Sequence, residues 1–384
     1  MNSFQFNTPG TIIFRPGSSG DPETYKKLIQ EGRTLIITDS TLQGLGVVDK
    51  VRIAIESAGA DVLVYNEVEP EPYAATIRNI VEIAKGENIK QVIGLGGGSP
   101  MDIAKIAALM IPSPQPIESM YGVGQAKGKR HTLILIPTTA GTGSEGTNVA
   151  VVTGDDGKKS PVVGPQFICD SVILDAELTL TLPGGVTAAT GIDAMVHAVE
   201  AYTSGFRKNP VSDRLAIKAF KLLFENIRIA VMQPGNIDAR GNMLVGSMMA
   251  GLAFSNATVG AVHALAYPLG TQFHLSHGES NSVVFATVMR FNLPEAVSLY
   301  ADLSREIIPG CMEAGNMDAA EQVIEEIERM IPETGLKNRL SDFGIEENDL
   351  DALVEGALKQ KRILSYNIRT MSREDILNVY NSVL

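Results

Sequence analysis

At 384 residues the chain is too long for one ordinary core and about right for two domains. Its 44% hydrophobic and 20% charged residues exclude a disordered chain, and a net charge of -12 argues against nucleic acid or an anionic membrane as the main partner. Cys169 and Cys311, the only cysteines, are too few for a disulfide framework or a Cys-rich zinc module and point to a reducing cytoplasm.

The N-terminus MNSFQFNTPG has no basic patch followed by an apolar run, so no signal peptide is expected. The first half then alternates β-rich runs with helical patterns. Thr34–Thr38, Val62–Tyr65, Gln91–Leu95 and Thr132–Ile136 read as buried strands, with helical spacing over Thr76–Lys85 and Met101–Met110. That order predicts a parallel sheet with helices on both faces and a ligand beyond the carboxyl ends of the strands. Residues 1–182 are therefore expected to form an α/β, Rossmann-like nucleotide-binding domain.

The segment QVIGLGGGSPMDIAK carries the clearest local signal. A strand runs into Gly96, Gly97 and Gly98, Ser99 is placed to cap the next helix, Pro100 suits its first position and Asp102 its first turn. Such a helix start can hold a pyrophosphate. The fit to G-x-G-x-x-G is imperfect, since Gly94 and Gly96 fill the first two places and Ser99 the third. The acidic residue that should follow about 20 residues later is not evident. Asp39, ending the first strand, is either a ribose-binding carboxylate that favours NAD over NADP or a helix-start Asp. The loop PTTAGTGSE brings Thr138, Thr139 and Thr142 to a neighbouring strand end as a second wall.

From Pro183 the texture turns helical, over Ala188–Ser204, Asp213–Met232, Ile237–Phe254, Gly260–Pro268, Ala319–Ile331 and Asp349–Lys361, so residues 183–384 are expected to be an all-α domain packed with the first around a shared cleft. No Asp, Glu, Lys or Arg occurs from Gly241 to Gly278. The polar residues in that stretch favour buried helices over a membrane span. Four of the five histidines lie between 197 and 277. Asp193 and His197 are four apart on one helical face, His263 follows in the charge-poor helix, and His277 precedes Gly278, read as the site of a sharp turn. Imidazoles are costly to bury without partners, so one carboxylate and three imidazoles point to a divalent metal, Fe²⁺ or Zn²⁺.

GGGSPMDIAK, PTTAGTGSE, GIDAMVHAVEAY and GAVHALAYPLGTQFHLSHGESN, in this order, resemble the iron-dependent alcohol dehydrogenase family over essentially the whole chain. The resemblance implies hydride transfer between NAD(H) and a small alcohol or aldehyde. It makes Asp193, His197, His263 and His277 the metal ligands and puts pyrophosphate on Gly97, Gly98 and Ser99. Thr138, Thr139 and Thr142 would touch the cofactor, with Asp39 and Lys159 near a ribose, in a homodimer or larger assembly. Many members carry a histidine where this chain has Tyr267, so Tyr267 or His274 is expected to serve the proton relay. The tail LKQKRILSYN and the ALAYPLG context resemble the 4-hydroxybutyrate dehydrogenase branch, in which Arg362 would hold a substrate carboxylate. A polyol dehydrogenase is the nearer rival. A dehydroquinate synthase-type lyase is the further one, and would need basic residues that Gly241–Gly278 lacks.

Overall fold

The computed structural model describes residues 3–384, which divide into two compact units, Asn7–Thr181 and Leu182–Leu384, the second also taking in residues 3–6.

In the first unit, β-branched and leucine-rich runs supply strands buried on both faces, as a parallel sheet requires. The strands are β1 (Thr11–Phe14), β2 (Arg33–Ile37), β3 (Val62–Tyr65), β4 (Ile89–Gly96), β5 (Gly122–Val123), β6 (Thr132–Pro137), β7 (Val149–Thr153), β8 (Lys159–Val163) and β9 (Ser171–Leu174). Six form one sheet in the order β1-β9-β6-β4-β2-β3, parallel throughout. The chain steps outward from β2 to β3 and then returns across β2 to β4. The direction of winding therefore reverses between β2 and β4, the place where such sheets hold ligands. The residues that follow β2, β4 and β6 are Asp39, the glycine run and the Thr138–Thr142 loop, so three adjacent strands deliver all three candidate loops to one sheet edge.

A second, three-stranded sheet, β5-β8-β7, was not legible in the sequence, and it includes an antiparallel pair, β7 with β8. Its strands are short, and Pro161 interrupts the pattern of β8.

The second unit contains no strand among the described residues. Its helices include Gly184–Thr203, Pro210–Met232, Ile237–Asn256, Ala261–Phe273, His277–Ile307, Asn316–Glu333, Leu350–Leu358 and Arg373–Ser382. The 31-residue helix His277–Ile307 went unseen because Pro294 lies inside it. Its start has a local cause: Ser276 accepts the Glu279 N–H while the Glu279 carboxylate accepts the Ser276 N–H, a reciprocal cap that fixes His277 in the first turn. The charge-free stretch folds as the helices Ile237–Asn256 and Ala261–Phe273, bent by 107° and largely buried. Together the pair has the length and composition of a broken span, but among the described residues no single helix is long and apolar enough to cross a membrane.

Gly278 corrects an expectation. It lies inside the helix His277–Ile307 rather than at a sharp turn. Its use is close approach, since a Cβ there would sit 2.2 Å from the Ala189 carbonyl oxygen and 2.5 Å from its carbon. Helices Gly184–Thr203 and His277–Ile307 thus meet backbone to backbone, which carries His277 to the face that bears Asp193. Gly278→Ala is expected to cost about 3 kcal/mol, the upper end for overpacking, because neither clashing atom belongs to a side chain that can swing aside. An unchanged melting temperature would show that the two backbones are not held this closely.

Candidate metal centre

Asp193, His197 and Glu200 share one face of the helix Gly184–Thr203. His263 comes from the helix Ala261–Phe273 and His277 from the next. One ligand atom from each of Asp193, His197, His263 and His277 lies within 4.8 Å of all the others. Asp193 Oδ1 stands 3.8 Å from His197 Nε2, 3.7 Å from His263 Nε2 and 3.4 Å from His277 Nε2, and the two buried Nε2 atoms are 3.1 Å apart. Ligand bonds of about 2.1 Å in a tetrahedron place donors about 3.4 Å apart. The four atoms therefore fit around a single cation, and three nitrogens with one oxygen suit Fe²⁺ or Zn²⁺.

The surroundings hold this set in place. The His197 ring stacks on Phe254 at 4.5 Å between centroids, and Asn281 donates to Asp193 Oδ1 at 2.7 Å. Glu200 Oε2 lies 2.6 Å from His263 Nδ1. Asp193, His197 and His263 are buried, whereas the His277 side chain is 45% exposed. Burial pushes the Asp193 carboxyl up, but the three imidazoles and Asn281 outweigh it and hold it below its ordinary value. Burial lowers His263, while the Glu200 charge and hydrogen bond, with Asp193, bring it above its ordinary value.

Tyr267 lies beside the cluster, its ring 6.1 Å from that of His277. Burial pushes its phenol up to about 12; the charges of Asp193 and Glu200 add to this and Arg362 opposes it. At neutral pH it is a hydrogen-bond donor and a poor proton acceptor. His274 is exposed and ends its helix in the left-handed region at φ 59°. Arg362 is exposed on the short helix Lys361–Leu364, close enough for its charge to act on Tyr267, and among the described residues it enters no salt bridge.

In the first unit the glycine run follows β4 as expected, but the helix it opens is Gly98–Met110, with Gly97 as its cap. Ser99 does not cap it: its hydroxyl donates to the Pro70 carbonyl at 2.6 Å, and Pro100 is the third helical residue rather than the first. Gly96 has φ 149°, and a Cβ there would meet the Pro100 ring at 2.7 Å. Gly97 and Gly98 face Thr139 and Thr142, with built Cβ positions 3.6 and 3.0 Å from their side chains. Thr138 is buried and donates its N–H to the Gly96 carbonyl.

Asp102 is the fifth residue of the helix Gly98–Met110 rather than part of its first turn. Oδ1 accepts from Ser144 Oγ at 2.7 Å and Oδ2 from the Val151 N–H at 2.9 Å, so its carboxylate braces the second loop and β7. Lys105, missed in the sequence, is fully buried and donates to the Ser144 and Val149 carbonyls, pinning the same loop. Glu145 is buried there with neither carboxylate oxygen hydrogen-bonded, and burial pushes it up to about 7. Asp39 caps the helix Ser40–Gly44 through one oxygen, which accepts from the Leu42 N–H at 3.0 Å. Lys159 is exposed and pairs with Glu71 at 2.8 Å.

Sheet, loops and histidine cluster together define a dehydrogenase of the metal-dependent alcohol-oxidising class, and the comparisons with known proteins agree. Residues 9–176 match the model of the iron-containing alcohol dehydrogenases, and residues 187–384 that of the C-terminal part of the Fe-containing alcohol dehydrogenase family. The long-chain-alcohol dehydrogenase 1 of Geobacillus thermodenitrificans is 39% identical, over 97% of this chain and 96% of its own. The sulfoacetaldehyde reductase of Bilophila wadsworthia is 35% identical, over 98% and 97%. The crystal structure of a 1,3-propanediol oxidoreductase aligns with a TM-score of 0.94 at 32% identity, covering 100% of both chains. The chain belongs to the iron-containing alcohol dehydrogenase family: it is an oxidoreductase acting on CH–OH groups, and membership implies NAD(H) and iron or another divalent metal.

Replacing His263 by alanine removes one donor from the middle of the set. Metal measured after purification is expected to fall far below one per chain, with turnover lost and the far-ultraviolet circular dichroism little changed. Full metal content in that variant would exclude His263 as a ligand.

Proposed function

We propose that the protein interconverts a short primary alcohol bearing a terminal carboxylate and its aldehyde with NAD(H), 4-hydroxybutyrate and succinic semialdehyde being the best-matched pair. Asp193, His197, His263 and His277 hold the metal, with Fe²⁺ preferred and Zn²⁺ the alternative. Bound there, a dication supplies Lewis acidity toward a substrate oxygen. Tyr267 donates a hydrogen bond beside the exposed ligand His277. The glycine run and the Thr138–Thr142 loop bind the pyrophosphate and fix the cofactor, and positioning of this kind supplies much of a rate enhancement. Two buried free thiols fit a reducing cytoplasm.

The observation that carries the carboxylate is Arg362. A guanidinium with no salt bridge among the described residues, its charge acting on a phenol next to a metal-ligand candidate, is free to take an anion. A relative named for sulfoacetaldehyde, an aldehyde with an anionic end, supports this reading. The second reading is a broader alcohol or diol dehydrogenase, favoured by relatives named for long-chain alcohols and 1,3-propanediol.

The two readings part in NADH oxidation with succinic semialdehyde beside butanal, lactaldehyde and dihydroxyacetone. A charged hydrogen bond contributes about 1.5–3 kcal/mol, so Arg362→Ala should lower kcat/KM for succinic semialdehyde roughly 10- to 100-fold and leave butanal unchanged. Equal rates on the neutral aldehydes would establish the broader enzyme. For the cofactor, Asp39→Ser keeps a helix cap while removing the charge that repels a 2′-phosphate. It should raise the NADPH-to-NADH ratio of kcat/KM at least about 10-fold, equivalent to 1.4 kcal/mol. A ratio that does not move would leave Asp39 as a helix cap alone.

A further inference from the structure

We propose that Glu200 is the positioning residue of the metal centre: its carboxylate sets the tautomer of His263 and anchors the helix that carries it. The inference rests on the ligand set proposed above and adds a residue outside that set.

Glu200 is buried on the helix Gly184–Thr203, one turn beyond His197 and two beyond Asp193. Its two oxygens do different work. Oε2 is 2.6 Å from His263 Nδ1, and Oε1 accepts the Val262 N–H at 2.6 Å. A carboxylate can only accept, so the first contact places the ring proton on Nδ1. The Nε2 lone pair is then left facing Asp193 and His197, where a metal needs it.

The second contact meets a need of the helix. Ala261–Phe273 starts at Gly260, which has no side chain to cap the exposed N–H groups of the first turn. Glu200 caps them from another helix, helped by Asn367, whose Oδ1 accepts the Ala261 N–H at 3.4 Å. Position 260 leaves little room for more: a Cβ there would lie 3.3 Å from Glu200 Oε1 and 3.3 Å from Asn367 Oδ1. One buried side chain thus fixes both where His263 stands and which nitrogen it offers. Charge points the same way, because Asp193 and Glu200 together balance one dication.

Glu200→Gln separates positioning from capping. The glutamine carbonyl still accepts the Val262 N–H, but its amide N–H donates to Nδ1 and drives the ring proton onto Nε2. In Zn²⁺ competition against a chromophoric chelator, the full-length Gln variant should bind Zn²⁺ about 10- to 100-fold more weakly than wild type. The melting temperature of its metal-free form should stay near that of the wild type. Glu200→Ala loses both contacts, so affinity and metal-free stability should fall together. Wild-type affinity in the Gln variant overturns the proposal, as does a loss of affinity matched by an equal loss of metal-free stability. His263→Ala in the same assay tells the two ideas apart. If it too binds Zn²⁺ like the wild type, the ligand set itself falls and the role of Glu200 with it. If only Glu200→Gln has no effect, the ligands stand and the positioning role alone is refuted.

Discussion

Two carboxylates, Asp193 and Glu200, are buried in helices that supply no lysine or arginine to meet them, and the C-terminal unit is organised around that cost. Each ionised group removed from water costs several kcal/mol unless it is paired and hydrogen-bonded. Here the compensation is built from imidazoles, an asparagine amide and backbone N–H groups. None of these is a fixed full positive charge. A local guanidinium would have formed a closed ion pair; imidazoles leave the carboxylate of Asp193 short of one cation, and the nearby nitrogens are of a kind that can bind a metal. The absence of basic residues from Gly241 to Gly278 is thus part of the site.

The N-terminal unit meets a related problem by other means. A cofactor phosphate must approach backbone, so the chain next to it has to be bare and still be held rigidly. On the proposed reading Gly96, Gly97 and Gly98 provide the bare surface, and the rigidity comes from beneath, where Asp102 and Lys105 tie the helix Gly98–Met110 to the Ser144–Val151 segment through charged hydrogen bonds. Gly94 belongs to the same design: a Cβ there would sit 2.8 Å from Ala104 Cβ and 2.8 Å from Leu135 Cδ2, so the helix lies directly on the strand.

Much of this was legible before the structure. The four strands with continuous apolar runs, the helical second half and the convergence of four candidate ligands all follow from periodicity and from the price of burying an imidazole. What escaped did so for physical reasons. Ser99 has the side chain of a cap, but Gly97 and Gly98 start the helix two residues early, and no local pattern reveals the Pro70 carbonyl that takes its hydroxyl. Gly278 looks like a turn residue in sequence, whereas its role is set by Ala189, 89 positions away. Glu200 could have been found, since it lies on the Asp193–His197 face at helical spacing; its partner His263 is 63 residues distant and only tertiary contact identifies it. Asp39 shows the limit of local reasoning in another way, because capping a helix uses one oxygen and does not exclude a ligand on the other.

The candidate metal centre is asymmetric in its exposure. Three of the four candidate ligands are buried, and only His277 has nearly half its side chain exposed. The exposed ligand candidate His277 has the Tyr267 ring 6.1 Å from its own, and the Arg362 charge acts on Tyr267. The buried face is tied to helix packing, since Gly278 lies against the Ala189 backbone and Glu200 accepts the Val262 N–H. The open face carries no such load, since Arg362 sits on a four-residue helix with an exposed side chain. Under the proposed function a cation on Asp193, His197, His263 and His277 would set the reaction type, while the residues around Arg362 would choose the tail of the substrate.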